Sequence, residues 1–250
     1  MAAIGHLLCG KNENCEGIAK TALSQLSSSI DTFAERAVSF LSGDFTHDAL
    51  TFGPFCARVL LENSCAALVG RLDSFRMLYL SEFQTQPEYE HGKRAKSAFS
   101  WTGDVIPEEK QQQQLWNLDH DLSKISRALF SKHLDHLYWK PAVERMLDYS
   151  SQHDSDPLLT EIRSLDADNF ISTVRGKSIQ LYSTLSKGVH WEFFTSALVF
   201  DETTVKSAIR DTCLLVSQLG LASHFIPTAY ASLPHSDALG TYKSFREELA

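Results

Sequence analysis

Four of the charged residues inside the most apolar stretch of the chain, Phe55–Phe83, can share one face: Arg58, Glu62, Asp73 and Arg76. On a helix turning by about 100° per residue, Glu62, Asp73 and Arg76 fall within roughly 60° of Arg58. Arg71 points elsewhere. Arg58 and Glu62 are spaced to meet across one helical turn, and so are Asp73 and Arg76. Charges on a buried face must be paired, because an unpaired one is very costly to desolvate. Two readings follow. The four residues form structural salt bridges, or they form a polar pocket in which the arginines act as forked donors to a phosphate or nucleotide.

A second group lies around His190, with Glu192 two residues on and Arg175 upstream. Ile171, Val174, Ser178, Leu181, Leu185 and Val189 recur at helical spacing, and Arg175, Ile179, Tyr182, Ser186 and His190 form the adjacent stripe. Gly188 is suited to end this helix. A histidine at a helix end beside a carboxylate is suited to proton transfer, and equally to capping the helix beside Trp191. Other groups carry less. His133 and His136 flank Asp135 without a third and fourth ligand, so no metal is expected, and no cofactor motif is seen. Ser100–Asp104 lacks the glycine spacing of a phosphate loop. Cys56, Cys65 and Cys213 have apolar neighbours and read as core. Lys93, Arg94 and Lys96 with Trp101 read as a solvated loop, or as a contact for single-stranded nucleic acid.

The elements that must position these residues are helical. Lys11–Leu41 has apolar residues at steps of three and four and ends at Ser42–Gly43. A connection over Asp44–Pro54 leads into Phe55–Phe83, expected as a long central buried helix in which Gly70 either introduces a kink or permits close packing. Gln84–Lys110 reads as a long connection. A helix is expected from Gln111 through Leu115, Leu118, Leu122, Ile125 and Leu129 towards Trp139, interrupted by Pro141. Short helical turns follow at 143–149 and 158–165. Asp201 is placed to cap a helix over Glu202–Leu219 closed by Gly220, and a last helix covers 236–248. The fold class is therefore all-α, a helical bundle in one domain over residues 1–250, with 150–157 the best place for a sub-boundary.

Composition agrees. The chain has 250 residues, 43% of them hydrophobic, which is enough for a substantial core. Its net charge of −8 argues against a broad nucleic-acid-binding surface. Five cysteines, none in a Cys-x-x-Cys pair, suit reduced thiols and a cytoplasmic location. Residues 1–10 lack the basic start and long apolar run of a signal peptide. No window is long and apolar enough for a membrane span.

The run Tyr182-Ser-Thr-Leu-Ser-Lys-Gly-Val-His190 resembles a Tyr-x-x-Leu-Ser-x-x-Val-His pattern in divergent members of the HEPN superfamily, and Glu62 on a preceding long helix is in keeping with them. The resemblance implies a helical bundle that forms a homodimer and serves a bacterial toxin–antitoxin, antiphage or stress system. Catalytic members are metal-independent endoribonucleases. Others are inactive modules that bind a partner protein or a nucleotide. Catalytic members place an arginine a short step before the histidine. Arg175 is far outside that spacing, and Arg127-Ala-Leu-Phe-Ser-Lys-His133 has it with Ala128 where a polar residue is usual. The expectation is a non-catalytic subunit that binds a partner protein or nucleotide through its arginine-bearing face. The alternative is a ribonuclease with His190 as acid or base.

Overall fold

The computed structural model describes all residues except 1–3, 12, 14, 43–46, 88, 90–97, 113, 154, 155, 165, 191–200 and 250. The described residues form an all-α bundle: α1 (Ile4–Cys9), α2 (Gly17–Ser39), α3 (His47–Leu72), α4 (Ser74–Gln84), α5 (Lys132–Leu134), α6 (Lys140–His153), α7 (Thr160–Arg163), α8 (Ala167–His190), α9 (Glu202–Ser223) and α10 (His235–Glu248). Among them no helix is long and apolar enough to cross a membrane.

Helix α3 is the central element and packs against α1, α2, α4, α8 and α9. Its sequence explains why. Ala57, Leu60, Leu61, Cys65, Ala67 and Leu68 are all buried, so apolar residues occupy most of its circumference. Small residues let neighbours approach closely. A Cβ at Gly53 would lie 2.8 Å from a Val205 methyl on α9. One at Gly70 would lie 2.8 Å from the Met77 sulfur, so this glycine serves close packing.

The expected helix over Phe55–Phe83 is two helices. Asp73 adopts φ −135° and ψ 78°, which ends α3 and lets α4 leave in a new direction. Its amide still donates to the Val69 carbonyl, at 2.7 Å. Helix α4 buries Met77, while Phe75, Tyr79 and Phe83 follow one another along its outer side. At its other end α3 begins at His47, before the expected Phe55, and carries Pro54 within it.

The segment expected to be helical from Gln111 departs most from its pattern. It runs as turns, with one three-residue helical turn at Leu122–Lys124, and Leu118 is fully exposed. Its own polar side chains take the backbone. Asn117 Oδ1 accepts from the Asp119 amide, and Asp121 Oδ1 accepts from the Ser123 amide. Such local bonds offer the chain an alternative to helix. Helical structure resumes with α5 and a π-type turn, Asp135–Trp139, in which Lys140 N–H donates to the Asp135 carbonyl. Pro141 stands in the first turn of α6, where its missing N–H is tolerated. Helix α8 continues through Gly188 to His190, and α9 continues through Gly220 to Ser223. Gly220 faces Leu7 of α1, which a Cβ would approach to 3.0 Å. Asp201 caps α9 as expected, accepting from the Thr204 amide at 2.8 Å. Buried residues from both sides of 150–157 join one hydrophobic cluster. Cys56, Cys65 and Cys213 are core residues, and burial raises all three thiols above their usual pKa, Cys213 to about 12.

Helix α1, buried at Ile4, Leu7, Leu8 and Cys9, was not legible as a separate element. It is tied in by Arg71, the last-turn arginine of α3, whose residue exposure is 1%. Arg71 donates to the Tyr230 carbonyl (2.9 Å), Ser223 Oγ (2.5 Å), Ser232 Oγ (3.0 Å) and, more weakly, the Leu8 carbonyl (3.4 Å). Its own carbonyl accepts from the Tyr230 amide. Among the described residues no carboxylate pairs with it. Burial lowers its pKa to about 10, so it stays charged at neutral pH. Ring atom Nδ1 of His224 lies 3.2 Å from Arg71 and accepts from the Leu233 amide, which leaves Nε2–H to donate to the Leu7 carbonyl at 2.8 Å.

Two outcomes are expected. Arg71→Leu leaves the carbonyls and hydroxyls around it without their donor, and should cost about 3–5 kcal/mol in urea unfolding. A loss below about 1 kcal/mol would show that water satisfies these groups. The second outcome concerns pH. Burial and then the Arg71 charge lower the His224 pKa to about 2, and burial also lowers that of His235. Below about pH 6.5 the unfolded histidine binds a proton that the native one refuses, so stability falls as pH falls. From His224 alone the slope grows from about 0.7 kcal/mol per pH unit at pH 6.5, where the unfolded ring is half protonated, towards about 1.4 at pH 5. Asp31 and Asp135, whose pKa values are raised chiefly by burial, oppose the trend at lower pH. A urea midpoint that holds steady from pH 6.5 to 5 would mean that His224 can be protonated in place.

Candidate functional site

Arg58 reaches from α3 to α8. Its Nε donates to Glu62 Oε1 at 3.1 Å, the pairing expected from their spacing. Nη1 donates to Ser186 Oγ at 2.5 Å, and Nη2 to the Tyr182 hydroxyl at 3.0 Å. Tyr182 and Ser186 are four residues apart, so one face of α8 presents both hydroxyls to the guanidinium. The guanidinium carbon lies 4.5 Å from the Tyr182 ring centroid, within cation–π range. Trp101 stacks on the same ring, with centroids 4.1 Å apart and planes at 9°. The Arg58 side chain is 16% exposed.

Arg76 is held differently from the sequence expectation. It forms a forked pair with Asp104, Nε to Oδ1 at 2.8 Å and Nη2 to Oδ2 at 2.9 Å, and Nη2 also donates to the Ala98 carbonyl. The hydrogen bond to Asp104 raises its pKa. Asp73 is paired instead with Arg127, at 2.8 Å. The reason is the break at Asp73: with α4 turned away, the one-turn relation between Asp73 and Arg76 no longer brings their side chains together. Asp104 also accepts from the Ser100 amide, and Gly103, at φ 112°, closes the turn Trp101–Val105. Arg76 thereby fixes the turn that carries Trp101.

These contacts border an open groove of about 680 Å³ between α2, α3, α4 and residues 99–101. That size lies in the range of small-molecule sites. Glu62, Asn63, Arg76, Phe99, Trp101 and Tyr182 line it, with Gln25 and Ser29 from α2 and Gln84 from α4. Asn63 Nδ2 donates to Ser29 Oγ at 2.8 Å, which leaves its carbonyl oxygen as an acceptor. Of the four charged residues expected on one face, Arg58, Glu62 and Arg76 meet at or beside this groove, and Asp73 does not line it.

His190 is the exposed last residue of α8, one turn beyond Ser186, and does not line the groove. Arg175 lies on the same helix about 22 Å away along its axis. It acts on Asp135, whose pKa is raised by burial and by Asp168 and lowered by Arg175. Glu192, Trp191 and the basic residues Lys93, Arg94 and Lys96 lie outside the described residues. His133 is buried and, with His136, packs edge-on against Trp116. Arg127, engaged by Asp73, is the arginine that has the short spacing to it.

Sequence reasoning missed Asp104 as the partner of Arg76, and the meeting of Trp101, Tyr182 and Ser186 with Arg58. Both depend on contacts between distant segments. The available signals were the short polar turn around Trp101 and the hydroxyl stripe of α8. Comparison with protein-family models, curated proteins and solved structures finds no match to this chain.

The geometry revises the expected cost of removing Glu62. An arginine buried with a single partner would lose about 3–5 kcal/mol on Glu62→Ala. Arg58 retains Tyr182 and Ser186, and Glu62 is half-exposed, so the expected loss is about 1 kcal/mol. Thermal unfolding of Glu62→Ala beside Tyr182→Phe measures it, and a loss above about 3 kcal/mol for Glu62→Ala alone would show that the hydroxyls do not hold the guanidinium.

Proposed function

We propose that the chain is a HEPN-like, non-catalytic helical subunit of a bacterial defence or stress system that binds a nucleotide in the groove beside Arg58 and Arg76. The observation that carries the binding reading is the groove's chemistry. Phe99 and Trp101 border it, Trp101 with its other face stacked on Tyr182, amides of Gln25, Asn63 and Gln84 supply hydrogen bonds, and the arginines at and beside it are neutralised in place. Planar rings with polar edges suit such walls, because each base has a π-face and a set of donors and acceptors. The HEPN-like part rests on Tyr182–His190, which supplies the two hydroxyls bound by Arg58. Assembly as a homo-oligomer or with a partner protein of the same system belongs to that resemblance. The non-catalytic part is supported by the distance between His190 and Arg175 along α8 and by the engagement of Arg127 with Asp73.

Equilibrium binding of nucleosides and mononucleotides to the purified chain tests the reading. Saturable binding is expected, weakened at least tenfold in Trp101→Ala, with an incubated RNA left uncut. Absence of binding by every nucleoside and nucleotide, or RNA cleavage abolished by His190→Ala, would overturn it.

A further inference from the structure

We infer that the loop Leu115–Leu122 is a docking element for another protein, one whose surface carries an apolar stripe flanked by lysine or arginine. None of its residues lines the groove, so the inference stands apart from nucleotide binding. Four of these eight residues are large and apolar: Leu115, Trp116, Leu118 and Leu122. Trp116 is 61% exposed, Leu122 79% and Leu118 100%. Single exposed apolar side chains are ordinary on a protein surface. Here they are gathered in one short loop. The three most exposed contribute little to the fold, because hydrophobic stabilisation comes from area removed from water. Trp116 also adopts φ 56°, a left-handed conformation that is rare for a bulky residue and concentrates at functional segments.

The loop is nonetheless fixed. Its ends are tied, the Gln112 amide donating to the Lys124 carbonyl at 3.0 Å. Within it the His120 amide donates to the Asn117 carbonyl, and the Lys124 amide to the Asp121 carbonyl. The side chains of Asn117 and Asp121 each accept from the amide two residues on. Trp116 is seated edge-on against His133 and His136, at 6.1 and 5.4 Å between centroids, and Leu137, the next residue, is half-exposed. Compact loops with joined ends are frequently functional, and a loop already ordered loses little freedom on binding. Charge selects the occupant. Asp119 and Asp121 lie between Leu118 and Leu122, and Leu115–Leu122 contains no Lys or Arg. Lys124, just beyond, is 3.6 Å from Asp121. A second copy meeting this loop about a two-fold axis would set acid against acid. An anionic membrane surface or a nucleic acid is repelled in the same way. A protein surface with apolar side chains between cationic ones complements both the leucines and the aspartates.

Fluorescence anisotropy of a labelled amphipathic peptide built of leucine and lysine, titrated with the full chain, tests this beside a leucine–glutamate counterpart. The lysine peptide should bind saturably and the glutamate peptide should not. Leu118→Ser combined with Leu122→Ser keeps every charge and should weaken binding about tenfold or more, the mark of apolar anchors at an interface, with the melting temperature unchanged. Asp119→Asn should weaken it about threefold at low salt and by less at high salt, where exposed charges are screened. Binding of the lysine peptide that survives the double substitution would reduce the contact to charge alone and overturn the inference. Equal binding of the glutamate peptide, no binding of either peptide, or a melting temperature lowered by the double substitution, which would make the leucines part of the fold, would overturn it too. Self-association, or binding to neutral lipid vesicles, that is lost with the same leucines would give the loop to a second copy or to a membrane instead.

Discussion

A single buried guanidinium organises the bundle. Arg71 stands at the end of α3, and the segments that satisfy it are the end of α1, the end of α9 and the turns at 224–233. A carboxylate would have neutralised the charge at one point. Carbonyls and hydroxyls spread the compensation over several segments, so each segment is fixed by the same side chain. The C-terminal ends of α1 and α9 also bring negative partial charge towards it, which suits a cation there. His224 completes the arrangement as a neutral ring, accepting on one nitrogen and donating on the other. Helix α1 is only six residues long and would have little stability in isolation. Its place is determined by these bonds and by the apolar side chains it buries.

The groove follows a different rule with the same residue type. Arg58 and Arg76 each have an acid partner, and each links elements that meet at the groove. Arg58 joins α3 to α8 through two hydroxyls. Arg76 joins α4 to the turn carrying Trp101. The rings and amides between them are thus held by ion pairs at the rim, away from the apolar core. Partly exposed pairs contribute modestly to stability. Their effect here is geometric, because forked hydrogen bonds restrict how Trp101 and Tyr182 can lie.

Much of the fold was legible in the periodicity of apolar residues, because burial of one face is what makes helical pattern visible in sequence. Helices α2, α8, α9 and α10 were read this way. The failures have separate causes. The break at Asp73 interrupts an apolar run whose composition is the same on both sides, so no period marks it. The leucines at 115, 118 and 122 have helical spacing, yet Asn117 and Asp121 bind the backbone locally and the leucines point outward. The glycine signal at 220 was overridden by packing against Leu7, and α8 runs through 188 to its end at His190. Within the site, Arg58–Glu62 was legible because it is local. Arg76–Asp104 and Arg71 with its partners were not, since hydrogen-bond partners far apart in sequence leave no periodic trace.

The reach of Arg71 also sets an order of events. Its partners Leu8 and Ser232 are 63 and 161 residues away in sequence. During synthesis α1, α2 and α3 emerge together, with the apolar faces of all three ready to associate, long before residues 223–233 exist. Until those residues arrive, the charge at the end of α3 has only the Leu8 carbonyl of its native shell and must remain hydrated. The early helices can collapse on one another, but that corner of the core has to stay wet. Final desolvation is therefore a late, long-range closure step, of the kind that slows folding. For as long as it is pending, the nascent chain exposes the α9-facing surface of α3 to whatever else is in solution.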